Sequence, residues 1–350
     1  MNLLDLAILL GAFLLILLGA ELFTNAVEWF GHKMNLGEGA VGSVLAAVGT
    51  ALPETTIPVV AILFSGGAAD DVGVGAILGA PFMLSTLALG VTGLVVYLAR
   101  GRRATGTRLE VDVHVVRSDL VAFGAAYLLV VGSAFLPREP TWPKLVAAAV
   151  LFILYGWYVK GHLDAESSVE ASDLNPLRFH RLDRARAHLL DDPPRLRVVI
   201  LQLAVGLVAI IGGAVAFVQG VDDIARSAGL DQVLLALIVA PIATELPEAA
   251  NAVLWIRQGK DTLAIGNITG AMVFQASIAA SVALIFAPES WVFAPGTQLA
   301  FTSALIAFLS TAAVFGPALR GASLSGRGLL VGGAFYVAYL GIVAFAILGG

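Results

Sequence analysis

The chain has 350 residues, 59% of them hydrophobic and 13% charged, with a mean hydropathy of +0.91. A soluble globular domain of this size does not carry so apolar a composition, so the sequence reads as an all-α polytopic membrane protein. Without cysteine it has no disulfide, thiolate metal site or cysteine nucleophile, and its net charge of −5 says little, because orientation in a membrane follows the positions of basic residues.

In chain order, windows of apolar residues bounded by glycine, proline and charge give about ten helices, near 3–30, 39–64, 74–98, 118–136, 143–161, 197–224, 232–256, 262–286, 297–317 and 328–348. The first lacks a basic leader or clear cleavage site and is too long for a signal-peptide core, so it reads as a transmembrane helix. Assigning the connections alternately to two sides puts Lys33, the cluster from Arg100 to Arg117, the basic residues from Lys160 to Arg197, Arg257, Lys260, Arg320 and Arg327 on one side. Only Arg138, Lys144 and Arg226 fall on the other. The rich side is then cytoplasmic, which predicts a cytoplasmic (inner) membrane protein with both termini outside. It also makes helices 1–5 and 6–10 two inverted five-helix repeats, over residues 1–160 and 197–350, joined by a cytoplasmic linker at 161–196.

The two halves match in sequence as well. Gly19-Ala20, Asn25, Leu36 and Thr50 to Glu54 align with Gly213-Ala214, Gln219, Leu230 and Thr244 to Glu248 at an offset of 194, and Gly75 and Gly79 align with Gly266 and Gly270 at an offset of 191. Such Gly-x-x-x-Gly pairs serve close helix packing in membranes, which is the simpler role for these glycines than direct contact with a ligand. Inverted repeats whose broken helices meet at the midplane are the architecture of secondary transporters. The linker, with its basic run from Arg178 to Arg186, reads as solvated positive-inside charge; a short helix lying on anionic lipid is the alternative. The alternation over residues 109–115 predicts a short extended or interfacial piece before the fourth helix.

Each half carries a glutamate directly after a proline inside an apolar segment: Gly49-Thr50-Ala51-Leu52-Pro53-Glu54 and Ala243-Thr244-Glu245-Leu246-Pro247-Glu248. A carboxylate at mid-membrane depth costs about 2.5 to 3.5 kcal/mol on insertion scales, so it marks an ion path or buried site unless it is a protonated glutamate bonded to a neighbouring helix. Proline removes a helical hydrogen bond and frees backbone carbonyls for a cation. Thr50 and Glu54, like Thr244 and Glu248, are four residues apart and share a helix face. Hard divalent cations such as Ca²⁺ take six to eight oxygens, and Glu54, Glu248, Thr50, Thr244 and freed carbonyls could supply most of them. Glu245 has no carboxylate counterpart, its partner being Ala51, and could act as ligand, proton carrier or vestibule residue. Two carboxylates ~6 Å apart at an effective dielectric of ~20 repel by about 2.8 kcal/mol, so an empty site of three glutamates retains a proton near neutral pH and releases it to an incoming cation. Asn251 and Asn267 could serve as ligands or as interhelical glue, with glue the simpler role for Asn251. Glu28 is placed at an access path or facing water, and all five histidines fall in predicted cytoplasmic segments. No zinc motif, phosphate-binding glycine loop or intramembrane nucleophile and base pair appears, which argues for a transporter and against an enzyme.

At these residues the chain resembles the calcium/cation antiporter superfamily, in particular bacterial and archaeal sodium/calcium exchangers, whose two inverted repeats each contain a G-T-S-L-P-E-like element. The resemblance covers Gly19 to Gly79 and Gly213 to Gln275. It implies ten helices with a linker between the fifth and sixth, Glu54 and Glu248 as central cation ligands, and Thr50 and Thr244 as nearby oxygen donors. The implied partners are inorganic cations and membrane lipid, with no cofactor, nucleic acid or obligatory protein partner. Two departures stand out. The family's serine before L-P-E is Ala51 in one copy and Glu245 in the other, and two further ligand positions on the third helices are Pro81 and Met272, which offer no hard oxygen. The function expected is a secondary active antiporter exchanging Ca²⁺ for Na⁺ or H⁺, the departures favouring H⁺. A monovalent cation/proton exchanger and a non-transporting ion-sensing homologue are the alternatives.

Overall fold

The computed structural model describes residues 3–51, 70–164, 174–182, 194–227, 246–294, 297–321 and 323–348. Ten helical segments lie among the described residues. They are α1 (Leu3–Lys33), α2 (38–51, π-helical over Ala40–Ala46), α3 (70–99, π-helical over Leu84–Ala88), α4 (Val113–Ser133), α5 (Trp142–Leu163), α6 (Leu196–Ser227), α7 (Leu246–Gln258), α8 (Asp261–Phe286, π-helical over Gln275–Ala279), α9 (Gln298–Leu319) and α10 (Gly326–Leu348). Eight are long and apolar enough to cross a membrane, and part of α2 is a shorter apolar helix. The described portions of α2 and α7 are short because each borders residues outside the description, around the two proline–glutamate pairs. The fold is all-helical, as the composition predicts; among the described residues the only β pairing is an isolated antiparallel bridge between Arg108 and Ser325.

α1 and α6, of 31 and 32 residues, lie against each other along their length. At 1.5 Å per residue each reaches about 46 Å, more than the hydrocarbon core, so both tilt or extend into the interface. Their backbones approach so closely that a side chain at Gly19 would sit 2.9 Å from the Ile210 nitrogen, and one at Gly206 would sit 2.8 Å from that of Phe23. Small residues at such crossings let dispersion replace the hydrophobic drive that lipid cannot supply.

The remaining helices interlock between halves. α4 and α5 of the first half pack on α8 of the second, while α9 and α10 pack on α3. In the same inverted sense α2 lies on α8 and α7 on α3. The two third helices also share a backbone device. The π turns at Leu84–Ala88 and Gln275–Ala279 are offset by 191, the offset that aligns the glycines. A π turn displaces the regular hydrogen-bond ladder and releases carbonyls. The Phe82 carbonyl accepts from the Thr86 hydroxyl at 2.6 Å, and its counterpart, the Val273 carbonyl, accepts from Ser277, the equivalent of Thr86, at 2.5 Å. The inverted repeat is thus written into the structure down to single hydrogen bonds.

Two connections depart from the sequence expectation. The extended piece expected over residues 109–115 is confined to the residues before 113: the Leu109 amide donates to the Leu324 carbonyl at 2.9 Å and Asp112 is extended, but α4 begins at Val113, because the Asp112 side chain accepts from the amides of His114 and Val115 and caps it. The described linker residues, 174–182, are docked and not simply solvated. The Asn175 carbonyl accepts from the Trp29 indole at 2.9 Å, and Leu177 is buried with Trp29, Val198 and Val199.

Candidate cation site

Of the five residues expected to hold the cation, Thr50 and Glu248 are described; Glu54, Thr244 and Glu245 lie outside the described residues. Thr50, near the described end of α2, and Glu248, in α7, are both completely buried. The side chain that joins their surroundings is Asn267 of α8. Its Oδ1 lies 3.4 Å from the Thr50 hydroxyl and its Nδ2 donates to the Glu248 backbone carbonyl at 3.4 Å. Both contacts are long, and the Thr50 hydroxyl also has the Ala46 carbonyl within 3.1 Å. An amide held this loosely can turn its oxygen to a cation at small cost. Helices from both halves, α2, α7 and α8, therefore converge on one buried point lined by hydroxyl, amide and carbonyl oxygen.

Asn251 follows Glu248 by three residues on α7 and so shares its face. It is fully buried, and neither atom of its amide has a hydrogen-bond partner among the described residues. The expectation that it glues helices together gains no support, since an unmet buried amide costs about 1–3 kcal/mol and a structural bond would have removed that cost. Met272 is buried in the core and Pro81 lies inside α3, so neither departure from the family pattern is made good by an oxygen at that position. The glycines of α8 do serve packing: a side chain at Gly270 would lie 2.0 Å from the Ser43 carbonyl oxygen, so only glycine admits α2 there. A side chain at Gly79 would meet nothing within 4 Å among the described residues.

α8 is fixed at its start by charge. Arg103, from the loop after α3, pairs both carboxylate oxygens of Asp261 at 2.9 and 2.6 Å, while the Glu110 amide adds a bond at 2.8 Å. A bidentate guanidinium–carboxylate pair with both side chains nearly fully buried defines angle as well as distance, which sets the register of Asn267 two turns along. Glu28, expected at an access path or in water, is instead buried: it accepts from the Trp255 indole at 2.6 Å and pairs with Lys260, tying α1 to the end of α7. Sequence reasoning missed this because the single signal, a glutamate one turn from the end of an apolar helix, also fits a solvated position. Outside the span, burial raises the Glu38 carboxyl above its ordinary range, outweighing the hydrogen bond to Thr262 and the nearby Lys260.

The description "sodium/calcium exchanger protein" belongs to the family whose profile matches residues 4–160 and 198–348 of this chain. A protein of Alkalimonas amylolytica described as "Putative antiporter CaxA" is 25% identical over 281 residues, covering 80% of each chain. The inner membrane protein YrbG of Escherichia coli K12 is 25% identical over 285 residues, 81% of this chain and 80% of that one. Among solved structures, the sodium-calcium exchanger NCX_Mj superposes with a TM-score of 0.73 over 97% of this chain and 99% of the other, at 18% identity, and so shares the fold. With the profile matched in both inverted halves, the chain belongs to the sodium/calcium exchanger protein family.

Proposed function

We propose that this chain moves Ca²⁺ across the cytoplasmic membrane in exchange for H⁺, by alternating access at a site to which Glu54, Glu248, Thr50, Thr244 and Glu245 contribute oxygen. Cation antiport is the activity of the family; the choice of cargo and counter-ion is the further step. The observation that carries the reading is the buried meeting of Thr50, Asn267 and the Glu248 carbonyl at the junction of α2, α7 and α8. A hard dication needs several such oxygens and carboxylate charge to replace its water. Asn267 and Asn251, which the sequence leaves open between ligand and interhelical glue, extend the donor set beyond those five residues.

Proton coupling follows from charge. Pro81 and Met272 leave two positions without an oxygen, while Glu245 adds a third carboxylate, and clustered carboxylates retain a proton when empty and release it to an entering dication. The sidedness of the loops supports both termini lying outside. Four of the five connections assigned to the cytoplasm, or the helix ends beside them, touch one another, through Arg103 on the Ile256 carbonyl, Lys260 on Glu28 and Leu109 on Leu324. On the opposite side Phe293 donates to the Ala134 carbonyl and Lys144 to that of Pro288.

The test is uptake into reconstituted vesicles, with Ca²⁺ offered separately against a pH gradient and against a Na⁺ gradient at clamped pH. The reading expects accumulation with the pH gradient. Full-rate exchange on Na⁺ that ignores the pH gradient replaces H⁺ by Na⁺ as counter-ion, and movement of monovalent cations alone replaces the cargo.

A further inference from the structure

Besides Glu28 and Asp261, another buried carboxylate lies apart from the proline–glutamate pairs. Asp119, six residues into α4, is fully buried and touches three other helices. Its Oδ1 lies 2.9 Å from the Tyr158 hydroxyl and 2.9 Å from His162 Nε2, both on α5. Its Oδ2 lies 2.8 Å from the Ser43 hydroxyl of α2 and 2.5 Å from the Thr269 hydroxyl of α8. Among the described residues the titratable groups facing it are His162 and Tyr158, with the Tyr155 ring tilted against that of Tyr158, and α2 and α8 present hydroxyls.

A carboxylate with a purely structural role needs one arrangement of donors. This one has two. The Tyr158 hydroxyl also reaches the Ser43 carbonyl at 3.1 Å, and the Thr269 hydroxyl also reaches the Ile265 carbonyl at 3.0 Å. With Asp119 ionised, all four donors point at it. With Asp119 protonated on Oδ2, its own O–H donates to the Thr269 oxygen while Thr269 and Tyr158 turn their hydrogens to the two backbone carbonyls. Every buried polar group stays satisfied in both states, which removes the desolvation penalty that normally locks a buried acid in one form. His162, in the last turn of α5, connects the cluster to the end of the bundle where the basic loops gather.

The position of the cluster gives it a lever. Ser43 precedes Thr50 by seven residues on α2, and Thr269 follows Asn267 by two on α8, so the clamp that Asp119 closes joins the two helices whose side chains meet in the cation site. We propose that Asp119, served by His162, is a proton-binding site distinct from the glutamates, whose ionised form holds α2 against α8 in the geometry that binds the cation. Protonation turns the Thr269 bond round and releases Tyr158 to the Ser43 carbonyl, so the bonds from Asp119 to α2 and α8 change from charge-assisted to neutral, which loosens that clamp and weakens cation binding. This deepens the antiporter reading and rests on it for its consequence in transport, but the proton site can be tested without transport.

The test uses the full-length protein in lipid and follows the infrared C=O stretch of protonated carboxyl groups between about pH 3 and pH 8, the interval that spans ordinary carboxyl and imidazole titration. A band should appear on acidification that is lost in Asp119→Asn, kept in Glu248→Gln, and moved by at least about one pH unit in His162→Gln, whose amide retains a donor but does not titrate. Asp119→Asn should also bind Ca²⁺ more weakly at pH 8, by about tenfold, with a flattened pH profile. An unchanged band in folded Asp119→Asn overturns the proposal. Where that variant does not fold, the His162→Gln band decides, since an unmoved midpoint overturns it equally. Vesicles that fail to exchange Ca²⁺ while the Asp119 band behaves as described would refute the antiporter reading and leave the proton site standing.

Discussion

α3 and α8 are the same helix in backbone and different helices in chemistry. Both begin at an aspartate, both carry a π turn at the equivalent place, and both quench the freed carbonyl with an equivalent hydroxyl. Yet where α8 has Asn267, Thr269 and Gln275, the matching residues of α3 are Ala76, Leu78 and Leu84. The amide that bridges Thr50 to Glu248 and the hydroxyl that binds Asp119 therefore come from one repeat only. The backbone device is kept in both repeats and the amide and hydroxyl side chains are not. In the proposed site the glutamates and threonines are therefore paired between repeats, while the amide donors are one-sided.

The largest effect should come from the symmetric part. Glu54→Gln and Glu248→Gln should each reduce Ca²⁺ uptake to that of protein-free vesicles while the protein still elutes as a folded species, because the amide keeps shape but removes the charge that offsets cation dehydration. Next comes the asymmetric part. Asn267→Ala should lower apparent Ca²⁺ affinity by about tenfold, equivalent to about 1.4 kcal/mol, whereas Ala76→Ser at the equivalent place in α3 should leave it within about twofold. Equal losses in both would show that the donors are not one-sided. Gly270→Ala, which drives a methyl into the Ser43 carbonyl, should destabilise the bundle by about 1–3 kcal/mol in thermal unfolding, while Gly124→Ala, which meets nothing within 4 Å, should be close to neutral.

The smallest effect lies at the bundle's end. Because burial holds the folded-state Glu38 carboxyl above its unfolded value, its contribution to stability is present at low pH and is lost as pH rises through the raised folded value. Glu38→Gln should thus raise the unfolding midpoint at pH 8 more than at pH 5; the reverse order would mean that Thr262 and Lys260 outweigh burial.

Hydropathy located the long helices, because about 20 apolar residues bounded by charge leave little choice of placement in lipid. It could not locate the π turns, since a ladder slip changes no residue type; Leu84 and Gln275 differ completely and sit at the same slip. The start of α4 was missed by five residues because Asp112 was read as part of an alternating strand and not as a cap, and that error left Asp119 near a helix end instead of well inside. His162 was grouped with the cytoplasmic histidines for the same kind of reason: it is in the last turn of α5, but its ring turns inward to Asp119, a choice that only tertiary packing records. Of the candidate site, the proline–glutamate repeats exposed the carboxylates, whereas the central role of Asn267 needed the crossing of α2 over α8, which separates its partners by 217 residues along the chain.

The central claim is one buried cation site shared by both repeats and charged by the two glutamates. Its most direct test is Ca²⁺ binding by the purified protein in weakly buffered detergent solution containing a pH indicator, comparing wild type with Glu54→Gln, Glu248→Gln and Asn267→Ala. The account predicts saturable binding with proton release in the wild type, loss of both signals in either glutamate variant, and weakened binding with proton release intact in Asn267→Ala. Undiminished Ca²⁺ binding in both glutamate variants would contradict it.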